Sequence, residues 1–114
     1  MPYIHSKVSI ETTPEQRQEL KTRLGQAIAV IPGKSEAWLM VNLEDNQEMY
    51  FRGENKEAAA FINVNIYGSP DPEAFQKMTE EITKIYNEVL GIRPEHMYIK
   101  YDAGTDWGWN GNNF

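Results

Sequence analysis

Few residues in this chain are able to do chemistry. It contains no cysteine and only two histidines, His5 and His96. Disulfide frameworks, thiolate metal sites and CxxC redox chemistry are therefore excluded. No HExxH-type spacing is present, and two histidines need carboxylates to complete a zinc site. No metal and no cofactor is expected. Pro2 follows Met1. If Met1 is lost, the proline nitrogen becomes a secondary amine with a reference pKa of roughly 7.7–8.0. Such a group can move protons near neutral pH. With Met1 attached, the same nitrogen is a tertiary amide and no base. Met-Pro starts are common, so Pro2 taken alone reads first as the start of an edge strand.

The bulk composition bounds the partners. The 114 residues fit one domain, 1–114, and 40% apolar content supplies one core. A domain this small leaves much surface uncovered, so oligomerisation would help it. The net charge of −6, from 17 acids against 11 bases, argues against nucleic acid. No apolar run approaches the roughly 18 residues of a membrane span. The N-terminus Met-Pro-Tyr-Ile-His-Ser-Lys lacks the apolar core of a signal peptide. A soluble cytoplasmic protein is expected, with no membrane partner.

A repeat supplies the elements. Adding 58 to first-half positions carries Pro14 to Pro72, Glu15 to Glu73, Leu24 to Ile82 and Gly33 to Gly91, without gaps. Each half, about 2–45 and 60–103, reads strand, helix, strand. Residues 3–10 place Tyr3, His5, Lys7 and Ser9 on one face, and Ile4, Ser6, Val8 and Ile10 on the other. Thr13 with Pro14 reads as a helix start. Leu20, Leu24, Ala27, Ile28 and Ile31 then share one helical face, closed by Pro32-Gly33. Residues 37–43 read as a largely apolar strand. Residues 60–67 alternate cleanly as another. A second helix opens at Ser69–Glu73, buries Met78, Ile82, Ile85, Tyr86 and Val89, and closes at Gly91 and Pro94. Residues 96–101 make the fourth strand. Met49–Arg52 reads as a short strand or hairpin arm, and the Gly- and Asn-rich aromatic end as a turn or hairpin.

Two right-handed βαβ units join into a four-stranded mixed sheet with both helices on one face, an α+β (α/β two-layer) fold. The other face is expected to expose apolar residues unless subunits cover it.

This layout resembles the tautomerase superfamily, and within it the macrophage migration inhibitory factor (MIF)-like branch. The resemblance covers nearly the whole chain. It rests on Met1-Pro2, Gly33-Lys34 after the first helix, Tyr98-Ile99 in the fourth strand, and Gly108-Trp109-Asn110 followed by Phe114. It implies a tautomerase/MIF fold and a homotrimer with active sites at subunit interfaces. It also implies keto–enol isomerisation of a small-molecule α-keto acid such as phenylpyruvate. Pro2 would be the catalytic base, Lys34 the carboxylate anchor, and Ile66 a backbone N–H donor flanked by Asn65 and Tyr67. Tyr98 would come from the adjacent subunit. Trp38, Trp109 and Phe114 would wall the pocket, with Tyr3 beside the proline. An apolar site and a nearby cation both lower the pKa of such a base.

Lys100 departs from the asparagine usual in that branch. It shares a strand face with Tyr98, so it is either a cation at the site or a solvated lysine. At the site it would favour a dicarboxylate substrate. Arg52 is a loose extra cation. The branch's thiol–disulfide activity is excluded, because the corresponding stretch is Glu57-Ala58-Ala59-Ala60. Superfamily reactions of hydration, dehalogenation or decarboxylation need further arginines and an acid near the base, which the sequence does not obviously place. Family members also act as cytokines without a signal peptide. A signalling or binding protein with vestigial catalysis, exported non-classically, is therefore the alternative.

Overall fold

The computed structural model describes residues 1–114. The main elements are β1 (Pro2–Val8), α1 (Pro14–Ala27), β2 (Met40–Glu44), β3 (Ala60–Tyr67), α2 (Pro72–Leu90) and β4 (Met97–Gly104). A small hairpin, β5 (Gly108–Trp109) and β6 (Asn112–Asn113), ends the chain. The sheet order is β2-β1-β3-β4. β1 runs parallel to β2 and antiparallel to β3, and β3 runs parallel to β4. Each half therefore closes a parallel strand–helix–strand unit, and the two units meet at the central β1–β3 pair.

Local chemistry explains the helices. Thr13 accepts from the Gln16 N–H at 3.1 Å, while the Gln16 side chain accepts from the Thr13 N–H at 2.9 Å. This reciprocal cap, with Pro14 behind it, starts α1. Asp71 caps α2 through the Ala74 N–H at 3.1 Å. Gly91, at φ 70°, ends α2 in the left-handed region that glycine enters without penalty. α1 does not run to Pro32 as one helix. It tightens into a 3-10 turn at Ile28–Val30 before the chain turns away.

Both helices cover one sheet face. Ile4 and Val8 of β1 and Ile62, Val64 and Ile66 of β3 meet Leu24, Ile28, Met78, Ile82 and Ile85, all essentially buried. Each fully buried aliphatic side chain contributes roughly 1.5–3 kcal/mol relative to exposure. Ser6 faces the same core and hydrogen-bonds the hydroxyl of buried Tyr86. Burial pushes the Tyr86 phenol up to about 12.

Three expectations change. The strand expected over 37–43 begins at Met40. Glu36–Trp38 instead forms a 3-10 turn, with the Trp38 N–H donating to the Ser35 carbonyl and the Leu39 N–H to that of Glu36. Gly25 lets the Glu36 side chain lie against α1, where a Cβ would overlap it. The Met49–Arg52 segment forms only an isolated bridge, Phe51 to Glu54. The uncovered sheet face is also not an apolar surface. It carries His5 with Glu44, and Lys100 and Asn63 with Asp102. The aliphatic residues of β1 and β3 point at the helices, and only Phe61 and the tyrosines Tyr3 and Tyr67 of these strands turn to the other face, which is left mostly polar, as antiparallel pairing permits. Exposed apolar side chains gather at the margins instead: Trp38, Met40, Trp109 and Phe114 on one side, Tyr50, Phe61 and Tyr98 on the other.

Candidate active site

Pro2 opens β1 opposite Ile66 of β3 and is buried. It lies in the wall of a cavity of about 620 Å³. Tyr3, Trp38, Leu39, Met40, Asn65, Trp107 and Trp109 also line it. The 3-10 turn brings Trp38 to this place, and the terminal hairpin brings Trp109. Their rings meet edge-on, 5.2 Å apart.

Lys34 reaches the same end of the sheet. Gly33, at φ 80°, turns the chain after α1. The Lys34 Nζ donates to the Tyr67 carbonyl at 2.6 Å and lies 5.8 Å from the centre of its ring. Phe114 packs on the same Tyr67 ring, with the ring centres 4.9 Å apart. The Phe114 N–H also donates to the Trp107 carbonyl. The chain terminus is thus tied to the residue that holds Lys34.

Met1 occupies this end too. Its carbonyl accepts from the Tyr67 N–H at 3.1 Å, and its side chain helps line the cavity. Its ammonium is held below its ordinary pKa, first by burial and then by the charge of Lys34. Both causes disfavour the protonated amine.

The whole chain, residues 1–114, matches the family model of macrophage migration inhibitory factor. It belongs to the MIF family. Solved structures agree. The chain is similar to MIF2 of Leishmania major, with 29% identity over 100% of this chain and 97% of that one and a TM-score of 0.92. A MIF homologue from Prochlorococcus marinus is 28% identical, with 98% of each chain covered and a TM-score of 0.81. At 16% identity, Pt0534 inactivated by 2-oxo-3-pentynoate shares the fold, with a TM-score of 0.86 over 97% of this chain and 94% of that one. No curated protein sequence matches significantly. The MIF fold commonly forms homotrimers, and membership places the chain among tautomerase-superfamily proteins.

Not every expected site residue of this MIF-family chain meets Pro2. Ile66 turns its side chain into the core at 2% exposure. The N–H that reaches the N-terminal residue is that of Tyr67, one position on. Tyr98 pairs with Phe61 in register, whereas Pro2 pairs with Ile66. The five residue steps from Phe61 to Ile66 on β3 span about 16 Å, with two strand spacings across. Tyr98 therefore cannot touch the Pro2 of its own chain, and it stands 62% exposed at the opposite margin. Lys100 is on the same face as Tyr98 and is also remote from Pro2. Its Nζ bonds Asp102 at 2.7 Å, and this holds the Asp102 carboxyl below its usual range. Sequence reasoning passed over Leu39, Met40 and Trp107 as cavity residues. It also gave Tyr67 only a flanking place. No sequence signal marks Tyr67: its place follows from the antiparallel register of residues 2 and 66, which puts residue 67 beside residue 1.

Proposed function

We propose that the chain is a keto–enol tautomerase acting on an α-keto acid of the phenylpyruvate kind, with Pro2 as the general base once Met1 is removed. The observation that carries this reading is the buried Pro2 in a cavity with aromatic walls, with Lys34 held on the Tyr67 carbonyl at the same end of the sheet. An α-keto acid brings a carboxylate, a carbonyl and an apolar tail, and each has a partner here. Lys34 takes the carboxylate. Loss of Met1 removes the acceptor of the Tyr67 N–H, which then points a free donor toward the same anion. Trp38 and Trp109 hold the tail.

In the enolising direction the Pro2 nitrogen takes the proton from C3. The C–H electron pair forms the C2–C3 double bond, and the carbonyl pair moves onto the oxygen as an enolate. A donor aimed at that oxygen lowers the barrier. Tyr98 of a neighbouring subunit supplies it. The oxygen then takes a proton from water. Ketonisation runs the same steps in reverse, with protonated Pro2 delivering its proton to C3.

The shared site follows from the two exposed margins. The β2 edge with Trp38 and Met40 and the β4 edge with Tyr98 lie on opposite sides of the sheet. A contact between unlike margins is heterologous and makes a ring where its rotation closes; the homotrimer common to the fold is such a ring. The uncovered polar faces then line its interior.

The test is covalent. The alkyne of 2-oxo-3-pentynoate adds an amine without expelling a group, so labelled protein gains the mass of the whole reagent. Peptide mapping is expected to place the adduct on the Pro2 nitrogen, with tautomerase activity lost in step. Labelling elsewhere with activity retained contradicts the reading.

A further inference from the structure

Two tight hairpin turns in this chain share a backbone and differ in residues. Asn110-Gly111, between β5 and β6, has φ values of 52° and 81°. Arg52-Gly53 has φ values of 55° and 77°. It is closed by the Phe51 N–H donating to the Glu54 carbonyl at 2.8 Å and the return bond at 3.1 Å. Positive φ at both central positions suits Asn-Gly, because a short polar side chain tolerates the left-handed region. Arginine is a poor choice there. A residue held against its backbone preference points to a demand other than stability.

Arg52 is also the arginine without a carboxylate. Arg17 faces Asp45 at 3.9 Å, Arg23 faces Glu88 at 2.7 Å, and Arg93 bridges Glu57 and Glu95 at 3.0 and 2.8 Å. Arg52 instead lies over the Phe51 ring, 5.2 Å from its centre. This holds although Glu54 and Glu57 line the same hollow of about 330 Å³. Phe51 in turn meets the Tyr98 ring edge-on at 5.6 Å. An unpaired guanidinium is therefore carried one ring away from Tyr98. Lys100, which shares the Tyr98 face of β4, is neutralised by Asp102.

We propose that Arg52 enters the neighbouring subunit's Pro2 pocket together with Tyr98 and binds a second anionic group at the far end of the substrate, so that the preferred substrates are 2-oxo acids with two carboxylates. This assignment rests on the shared-site reading above. Lys34 holds the carboxylate next to the carbonyl, and the aromatic walls hold the middle. The guanidinium fork matches the second carboxylate in two parallel hydrogen bonds.

The experiment compares phenylpyruvate with its para-carboxylated analogue in wild type, Arg52→Asn and Lys100→Asn, with KM, kcat, Tm and assembly mass measured for each. Arg52→Asn is expected to raise KM for the carboxylated substrate about tenfold relative to that for phenylpyruvate. It should keep the assembly mass and raise Tm, because asparagine relaxes the turn. Equal changes on both substrates overturn the assignment. So does a selectivity carried by Lys100→Asn instead, or a smaller assembly, which makes Arg52 an interface residue. Pro2 labelled by 2-oxo-3-pentynoate with no preference between the substrates overturns only the Arg52 assignment. An unlabelled Pro2 with neither substrate turned over overturns the tautomerase reading and this one with it.

Discussion

The two ends of the sheet are built for different jobs. At the Pro2 end, side chains are tied to one another, although Trp38 at 52% and Trp109 at 53% stay half exposed. Lys34 is tied to the Tyr67 carbonyl, Phe114 packs on Tyr67, and Trp109 meets Trp38. At the Tyr98 end, the rings stand outward, with Tyr98 62% and Phe61 37% exposed. One end is a pocket that lacks a hydroxyl donor. The other is a hydroxyl that lacks a pocket. A single chain brings the two no closer than opposite margins, so catalysis and assembly become one question.

The largest effect tests whether the ends are separate parts. Pro2→Gly is expected to lower kcat on phenylpyruvate about 10²–10⁴-fold, the usual range for a positioned base. Tyr98→Phe, which removes one donor to the developing oxyanion, should lower it about 10²-fold. Chains of the two variants, unfolded together and reassembled, then give the sharper result. About a quarter of the sites in a randomly mixed ring draw an intact half from each parent, so activity should return. No recovery in mixed assemblies of confirmed mass would place both residues in one chain's site and break the comparison.

A smaller effect sits within the Pro2 end. Lys34→Ala should raise KM for the keto acid about tenfold by removing a charge-assisted bond. It should also move the pH profile. The base works unprotonated, so activity rises as pH rises through its pKa, and burial and Lys34 both place that midpoint below the reference of roughly 7.7–8.0. Without the cation the protonated amine is less disfavoured and the midpoint moves up. A midpoint that falls, measured as kcat/KM against pH, contradicts the electrostatic account.

The smallest effect concerns the walls. Trp109→Leu should raise KM a few-fold for phenylpyruvate and less for a keto acid with a short aliphatic tail, because only the aromatic tail loses contact. Equal changes on both would make Trp109 a structural residue.

Much of this was legible in the residues, and the failures have physical causes. β3 was read to its ends because strict alternation over 60–67 matches a strand with one buried face. β2 was started too early. The apolar Ala37-Trp38-Leu39 run looks like a strand, but it sits in a 3-10 turn whose Trp38 serves the cavity. The outer face was expected to expose apolar residues, but the period-two pattern sends the aliphatic ones to the helices and leaves Phe61 among His5, Asn63, Lys100 and Asp102. The site was legible as a list of residues and not as a register. The pairing of Pro2 with Ile66 is invisible without the fold, and it decides that Tyr67, rather than Ile66, meets the N-terminal residue.

The central claim is that the Pro2 nitrogen is a base only when nothing precedes it. Its most direct test is the rate of phenylpyruvate tautomerisation by protein shown by intact mass to lack Met1, beside the same protein carrying one added N-terminal residue. Activity in the first and its loss in the second is the predicted result. Equal activity in both would contradict it, because an acylated proline nitrogen has no lone pair to take a proton.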